Sequence, residues 1–397
     1  MFGKKRISNA HQPSTGASSR IYSRDNVDRY SQRARERRRG RTIKRGVICG
    51  IVGVLLCATG AAGLWLANVT SKLHNSSVIT SSLLSTLTDS DVAKEPFYIL
   101  LLGTDGRPGE DTYRSDSIIL ARIDPQSKQA TLISIPRDTK VTYKGSIMKI
   151  NATHTYGGAE GVVDAVNELC FDGEQKISHY AEVNFDGMKE LIDAVGGIDI
   201  TVPEGDEVDD AEAGSVKIEA GEQHMDGEAA LTFARARHQF TDGDYTRMRH
   251  QRMVLGALAK QILNNIDATK VVSLINSLSD MIITDMEPTD MVACINAMRG
   301  MDVDNIYSAN LPSYAGDDTM IDGVSYVFVY ETELKEMMER VDAGEDPEGP
   351  QSMGKTGTGG TMGDLSNNSN KDWYNGTATT SDSSDDSDSD SSSSSSN

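Results

Sequence analysis

Between Val47 and Ala67 the chain reads VICGIVGVLLCATGAAGLWLA, 21 residues without a charge. Wound as a helix, such a run has about the length needed to cross the apolar core of a bilayer. Its flanks set an orientation. Up to Gly46 there are 14 Lys/Arg against 3 Asp/Glu, net +11, ending in the basic run Arg35 to Arg45. Beyond that point the whole-chain totals of 39 basic and 59 acidic residues leave 25 against 56, net −31. Lys and Arg stay on the cytoplasmic side of a span. Residues 1–46 are therefore expected to be a basic, disordered cytoplasmic arm and 47–67 a transmembrane helix. Nearly all the remaining mass should lie outside the cell. A basic arm can also bind nucleic acid, but its place directly before the span argues for topology and against a nucleic-acid partner. A cleaved signal peptide is the alternative, with Gly63 and Ala67 as small residues for a cleavage site, although so long a basic arm is atypical of one.

Residues 68–95, rich in Ser and Thr with scattered apolar positions, read as a stalk. From 96 to 342 the pattern alternates between strands and helices. Phe97–Leu102, Ser117–Ile123 and Ala130–Ile135 are short continuous apolar runs, the signature of strands buried on both faces. Gly158–Leu169, Phe185–Val195, Gly227–Ala234, Arg247–Ile266 and Lys270–Leu278 have helical spacing, and Gly196–Val202 reads as a turn into a strand. This alternation predicts an α/β domain, an α/β/α sandwich around a mixed sheet. After Asp342 the composition falls to Gly, Ser, Asn and Asp, so 343–397 is expected to be a disordered tail. Gly349–Thr356 (GPQSMGKT) has the spacing of a phosphate-binding loop but lacks the strand before it and the helix after it, and is set aside. Cys170 and Cys294 lie beyond the span, where a disulfide is chemically permitted, but sequence alone does not pair them. No Cys/His cluster has zinc spacing.

Two groups of residues carry chemistry. In ARARHQFTDGDYTRMRHQR, Ala234 to Arg252, five arginines interrupt an acidic chain. Guanidinium groups bind phosphate bidentately and keep their charge near neutral pH. Arg235, Arg237, Asp244, Arg247 and Gln251 are spaced so that they would converge on one anionic group. A basic helix face salt-bridged to acidic neighbours is the other reading. The second group sits at strand ends, where open α/β sheets place ligands. Asp105 follows the first strand, Arg114 and Asp116 open the second, and Arg137 follows the third. Asp105 and Asp116, on neighbouring strands, would hold a hard divalent cation.

Together the ordered pieces GTDGR, RSDS, SIPRD, KINATHTYGG, VGGIDITV, ARARH and DYTRMRHQR resemble the LytR–CpsA–Psr family of membrane-anchored cell-wall enzymes, over about 96–263. The resemblance implies a transferase. Such an enzyme moves a glycopolymer, such as a teichoic acid or capsular polysaccharide, with one phosphate from a polyprenyl-pyrophosphate carrier to peptidoglycan. It further implies Mg²⁺, with Mn²⁺ as the alternative ion, on Asp105 and Asp116. Arg114, Arg137, Arg235, Arg237, Arg247 and Gln251 would surround the pyrophosphate. The acceptor hydroxyl must lose a proton, to a metal-site Asp or to Asp244. Two other functions stay open, a cell-envelope regulator and a glycan-binding or pyrophosphatase domain without transfer.

Overall fold

The structure is a computed structural model that describes residues 64, 66–74, 78–104, 114–241, 243–265, 268–279, 281–302, 305–316, 319–348 and 360–362. The chain divides after Ala67, and nearly all of the first unit lies outside the described residues. The expected arm and almost all of the expected span fall there. Among the described residues no helix is long and apolar enough to cross a membrane.

The second unit is built on a six-stranded sheet in the order β10-β3-β2-β1-β6-β9. Its strands are β1 Phe97–Thr104, β2 Ser115–Asp124, β3 Gln129–Ser134, β6 Ile177–Asn184, β9 Ile282–Thr284 and β10 Ile306–Asn310. β1 pairs antiparallel with β2 and parallel with β6, and β3 pairs antiparallel with β2 and parallel with β10. The sheet is thus mixed, as expected. Both its faces are covered, which explains the continuous apolar runs. On one face Leu100, Leu102, Ile118 and Leu120 pack with α2 (Ile150–Phe171) and α8 (Glu331–Asp342). On the other, Ile119, Ala121 and Leu132 meet Leu263 of α5 (Asp244–Asn265) and Met298 of α7 (Pro288–Met298).

Smaller elements follow the chain. The hairpin of β4 (Lys140–Tyr143) and β5 (Ser146–Lys149) precedes α2. A side layer joins α3 (Phe185–Ala194), β7 (Ile198–Val202), β8 (Gly221–Met225), α4 (Gly227–Arg235) and α5 around Phe233, Ile198 and Met253. Asn184 and Asp226 cap α3 and α4 by accepting from Gly187 N and Ala229 N. Gly196 and Gly197, with φ of 90° and 85°, make the left-handed turn from α3 into β7. The helix α6 (Ala268–Leu278) follows α5, and four short strands, β11 (Ser313–Gly316) to β14 (Phe328–Val329), precede α8.

Residues 68–95, expected as a stalk, instead belong to the folded unit. Val69, Leu73 and Leu83, the last on α1 (Ser81–Thr86), are fully buried, and Thr88 N donates to Ile177 O at 3.0 Å. The scattered apolar positions that looked like a spacer are core contacts. The expected tail falls outside the described residues apart from 343–348 and 360–362, and Gly360–Met362 forms β15 against β11. The phosphate-loop look-alike also falls outside them. Cys170 and Cys294 are free and pack on opposite faces of the sheet. Burial pushes their thiols up to about 12 and about 11.

Candidate functional site

At the ends of the central strands the pairing of β1 and β2 slips. Gly103 faces Ser117 and Thr104 faces Ser115, so Asp116 is the extra residue of a bulge. A bulge turns a side chain out of the regular alternation, and Asp116 lines a cleft of about 280 Å³. Gly103 permits the slip, because a Cβ there would stand 2.9 Å from Ser117 Cβ. Ser117 Oγ donates to Gln251 Oε1 at 2.9 Å, and Gln251 Nε2 donates to Ala234 O at 3.4 Å. β2, α5 and the end of α4 are thereby tied at the cleft wall.

The arginines converge from three elements. Arg137, just past β3, donates from Nη1 to Asp116 Oδ1 at 2.7 Å. Arg247, in the first turn of α5, donates from Nη2 to Asp116 O at 3.3 Å and lies 2.6 Å from Asp244 Oδ1. The same Asp244 oxygen lies 3.9 Å from Arg137 Nε. Arg235, the last residue of α4, places its guanidinium 5.0 Å from the Phe185 ring centre, where β6 passes into α3. Arg237 follows the end of α4, and the N–H groups of Arg237 and His238 both point to Asp210 Oδ2, at 3.4 and 3.3 Å.

The site is electrostatically unbalanced. Burial lowers the Arg247 pKa; Asp244 and Asp116 oppose this, while Arg137 and Arg237 add to it. Burial also works against the charge of Arg137, but its bond to Asp116 and the carboxylates of Asp244 and Asp138 outweigh burial and hold it above the ordinary value. Among the described residues, the buried Nε–H of Arg137 and that of Arg247 have no hydrogen-bond acceptor. Unpaired buried donors are rare because each costs about 1–3 kcal/mol. Cationic donors held in this way suit an anion with several oxygens.

His238, at the rim, has a defined tautomer. Its Nδ1 faces Glu212 Oε2 at 3.3 Å and Asp210 Oδ2 at 3.5 Å, and Nε2 lies 3.3 Å from Arg237 Nε. Carboxylates only accept, so Nδ1 carries the hydrogen and Nε2 keeps its lone pair.

The sequence-expected residues divide. Asp116, Arg137, Arg235, Arg237, Arg247 and Gln251 line one cleft, with Asp244 bridging two of the guanidiniums. Arg114 stands exposed before β2 and is not on the cleft wall, and Asp105 lies outside the described residues. The other two arginines of the cluster serve the fold. Arg249 pairs with buried Asp206, and Arg252, wholly buried, donates to Ser134, Ser308 and Asn310 under the sheet. Phe185 and Glu212 also line the cleft and carried no signal of their own, although the Asn184 cap marks the strand-to-helix junction that presents Phe185.

Of the two carboxylates expected to hold a divalent ion, Asp116 lies at the cleft, with Oδ1 on Arg137. No group of three or more His, Cys, Asp or Glu side chains that could hold a metal occurs among the described residues. Mg²⁺ does not require one, since it binds through one or two carboxylates and substrate phosphates and keeps several waters. Asp116 supplies such a carboxylate at the anion cleft.

Fold and cleft together define a mixed α/β domain with an arginine-lined cleft at its strand ends. Residues 66–343 match the model of the LytR_cpsA_psr family, and the chain belongs to that family. It is similar to the Bacillus subtilis (strain 168) polyisoprenyl-teichoic acid–peptidoglycan teichoic acid transferase TagV, at 37% identity over 200 residues. That match covers 48% of this chain and 49% of TagV, so the chain spans about half the length of that relative. The Enterococcus faecalis transferase TagU is 31% identical over 299 residues, covering 74% of this chain and 95% of TagU. Among solved structures, TagT bound to LI-WTA superposes with a TM-score of 0.54 at 25% identity, covering 65% of this chain and 93% of TagT.

Proposed function

We propose that this chain is a membrane-anchored phosphotransferase that moves a glycopolymer, with one phosphate, from a polyprenyl-pyrophosphate carrier to peptidoglycan on the outer side of the membrane. The observation that carries the proposal is the convergence of Arg137, Arg235, Arg237 and Arg247 on one cleft beside Asp116. The names of TagV and TagU support the substrate class. The charge step across 47–67 supports the anchor.

Phosphoryl transfer asks mainly for positioning and for neutralising charge on the transferred group and the leaving oxygen. Arg137 and Arg247 are fixed by Asp116 and Asp244 before substrate arrives, so little reorganisation is needed when charge develops. Arg235, braced on Phe185, and Arg237 would clamp the outer oxygens from the rim. Asp116, with Asp105 beside it in the sequence reading, would hold Mg²⁺, which when bound neutralises phosphate charge and polarises the P–O bond. For the acceptor proton His238 is preferred to Asp244: its Nε2 lone pair, on the cleft wall, accepts from Arg237 Nε alone, at 3.3 Å, and must release that bond, whereas Asp244 Oδ1 serves two guanidiniums.

The test is transfer itself. The 397-residue chain, incubated with lipid-linked glycopolymer, peptidoglycan and Mg²⁺, should leave phosphorus-linked glycan on the peptidoglycan. Release of glycan phosphate to water without such a link would replace transfer by hydrolysis.

A further inference from the structure

At the opposite end of the sheet, near the start of β6, three side chains stand in series. Asp285, directly after β9, accepts the Tyr180 backbone N–H on Oδ1 at 2.7 Å. Its Oδ2 lies 2.6 Å from His179 Nδ1, and His179 Nε2 lies 3.2 Å from Ser90 Oγ. A carboxylate only accepts, so Nδ1 carries the hydrogen and Nε2 presents its lone pair to the Ser90 hydroxyl. The Phe97 ring meets the imidazole edge-on at 5.7 Å and 86°, and the His179 and Asp285 side chains are 13% and 7% exposed. Ser90 is half-buried and lines an open cleft of about 460 Å³ shared with Asp89, Asp91, Glu95 and Asp290.

We propose that Ser90, His179 and Asp285 form a nucleophile–base–orienting series, a second reactive site separate from the arginine cleft that acts on neutral or cationic esters. The geometry is that of an activated serine: a base within reach of the hydroxyl, with the base turned by a fixed carboxylate. Ser90 Oγ attacks the ester carbonyl carbon while its proton passes to His179 Nε2. The C–O bond to the alcohol then breaks, and the alcohol leaves with that proton. Water, giving a proton to the same nitrogen, cleaves the acyl–Ser90 bond and frees the acid, and the proton returns to Ser90. Asp285 is the positioning residue. Of the four carboxylates around the cleft only Asp91 has an ion-pair partner among the described residues, Lys94 Nζ at 2.7 Å, so the net field is negative and an aminoacyl ester, with its ammonium group, suits the cleft where a phosphorylated glycan does not.

The experiment treats the 397-residue chain in detergent with a fluorophosphonate and maps the adduct by mass spectrometry. A single adduct on Ser90 is expected, absent in Ser90→Ala and formed at least tenfold more slowly in His179→Gln. Melting temperature should be nearly unchanged in Ser90→Ala. The 4-nitrophenyl ester of alanine should be hydrolysed at least tenfold faster than 4-nitrophenyl succinate, and this difference should vanish in Ser90→Ala. No adduct, an adduct elsewhere, or equal labelling of Ser90→Ala would reduce the series to a structural clip. A destabilised Ser90→Ala protein whose parent takes no label would identify that clip directly.

Discussion

Asp244 Oδ1 stands 2.6 Å from Arg247 Nη2 and 3.9 Å from Arg137 Nε, so one carboxylate oxygen answers two of the guanidiniums that face the cleft. It occupies the electrostatic role that a substrate phosphate would take. Asp244→Asn should therefore lower stability by about 2 kcal/mol, since partly buried arginines lose their counter-charge. The same change should tighten inorganic pyrophosphate binding several-fold. Melting curves and calorimetric titration of one preparation check both, and weaker pyrophosphate binding would contradict the stand-in role.

Arginines close in sequence should separate by phenotype. Arg235→Ala and Arg237→Ala remove charges from the cleft rim, so melting temperature should hardly change while transfer falls about a hundredfold. Lys should restore little at either position, because a point charge does not reproduce the fork. Arg252→Met leaves Ser134, Ser308 and Asn310 buried without their donor and should lower the melting temperature by about 5–10 °C. Destabilised but active Arg235 and Arg237 variants would return the cluster to a salt-bridged helix face.

This division also shows what the sequence could not reveal. Periodicity located the strands and helices because burial on one or two faces leaves a repeat in the residues themselves. Strand ends offered Asp116 and Arg137, and helical spacing offered Arg247 and Gln251; only the family resemblance put the two pairs around one ligand. Spacing did not show that Arg249 and Arg252 turn inward, because their partners, Asp206 for one and the neutral Ser134, Ser308 and Asn310 for the other, are distant in sequence. The bulge at Asp116 depends on Gly103 and Ser117 meeting across strands, a pairing no local pattern encodes. Residues 68–95 misled for a related reason, since a few apolar contacts such as Leu83 were diluted by Ser and Thr.

Proton acceptance should report on His238. His238→Gln retains a hydrogen-bonding group but loses the basic Nε2, and should reduce kcat at least tenfold with little change in KM. If kcat survives in His238→Gln and falls in Asp244→Asn, the carboxylate takes the proton.

Metal dependence should follow Asp116. Asp116→Asn should lose most transfer, and its residual activity should need at least tenfold more Mg²⁺ for half-maximal effect. An unchanged Mg²⁺ midpoint would remove Asp116 from the metal site.

Stability should fall in mild acid through His250. This side chain is wholly buried, stacked 3.9 Å from Phe233, and burial pushes its pKa below the ordinary 6.5 while Asp206 opposes the shift. Between the two values the unfolded chain binds more protons, so stability is full above about pH 6.5 and is lost as pH falls through the folded value. Melting temperature should drop from about pH 7 to pH 5, and His250→Gln should flatten that drop. An equal drop in the variant would place the titration elsewhere.

α5 carries Arg247 and Gln251 on the cleft side and Arg252 under the sheet, within six residues of one another on a single helix. The binding surface has no hinge of its own here. A displacement of the helix that enlarged the cleft would also pull Arg252 away from Ser134 and Asn310, so recognition and architecture move as one rigid part. Adaptation to a different ligand would then fall to exposed rim side chains such as Glu212, because the same 203–220 segment buries Val208, Ala213 and Ile218 in the side layer and holds Arg249 through Asp206.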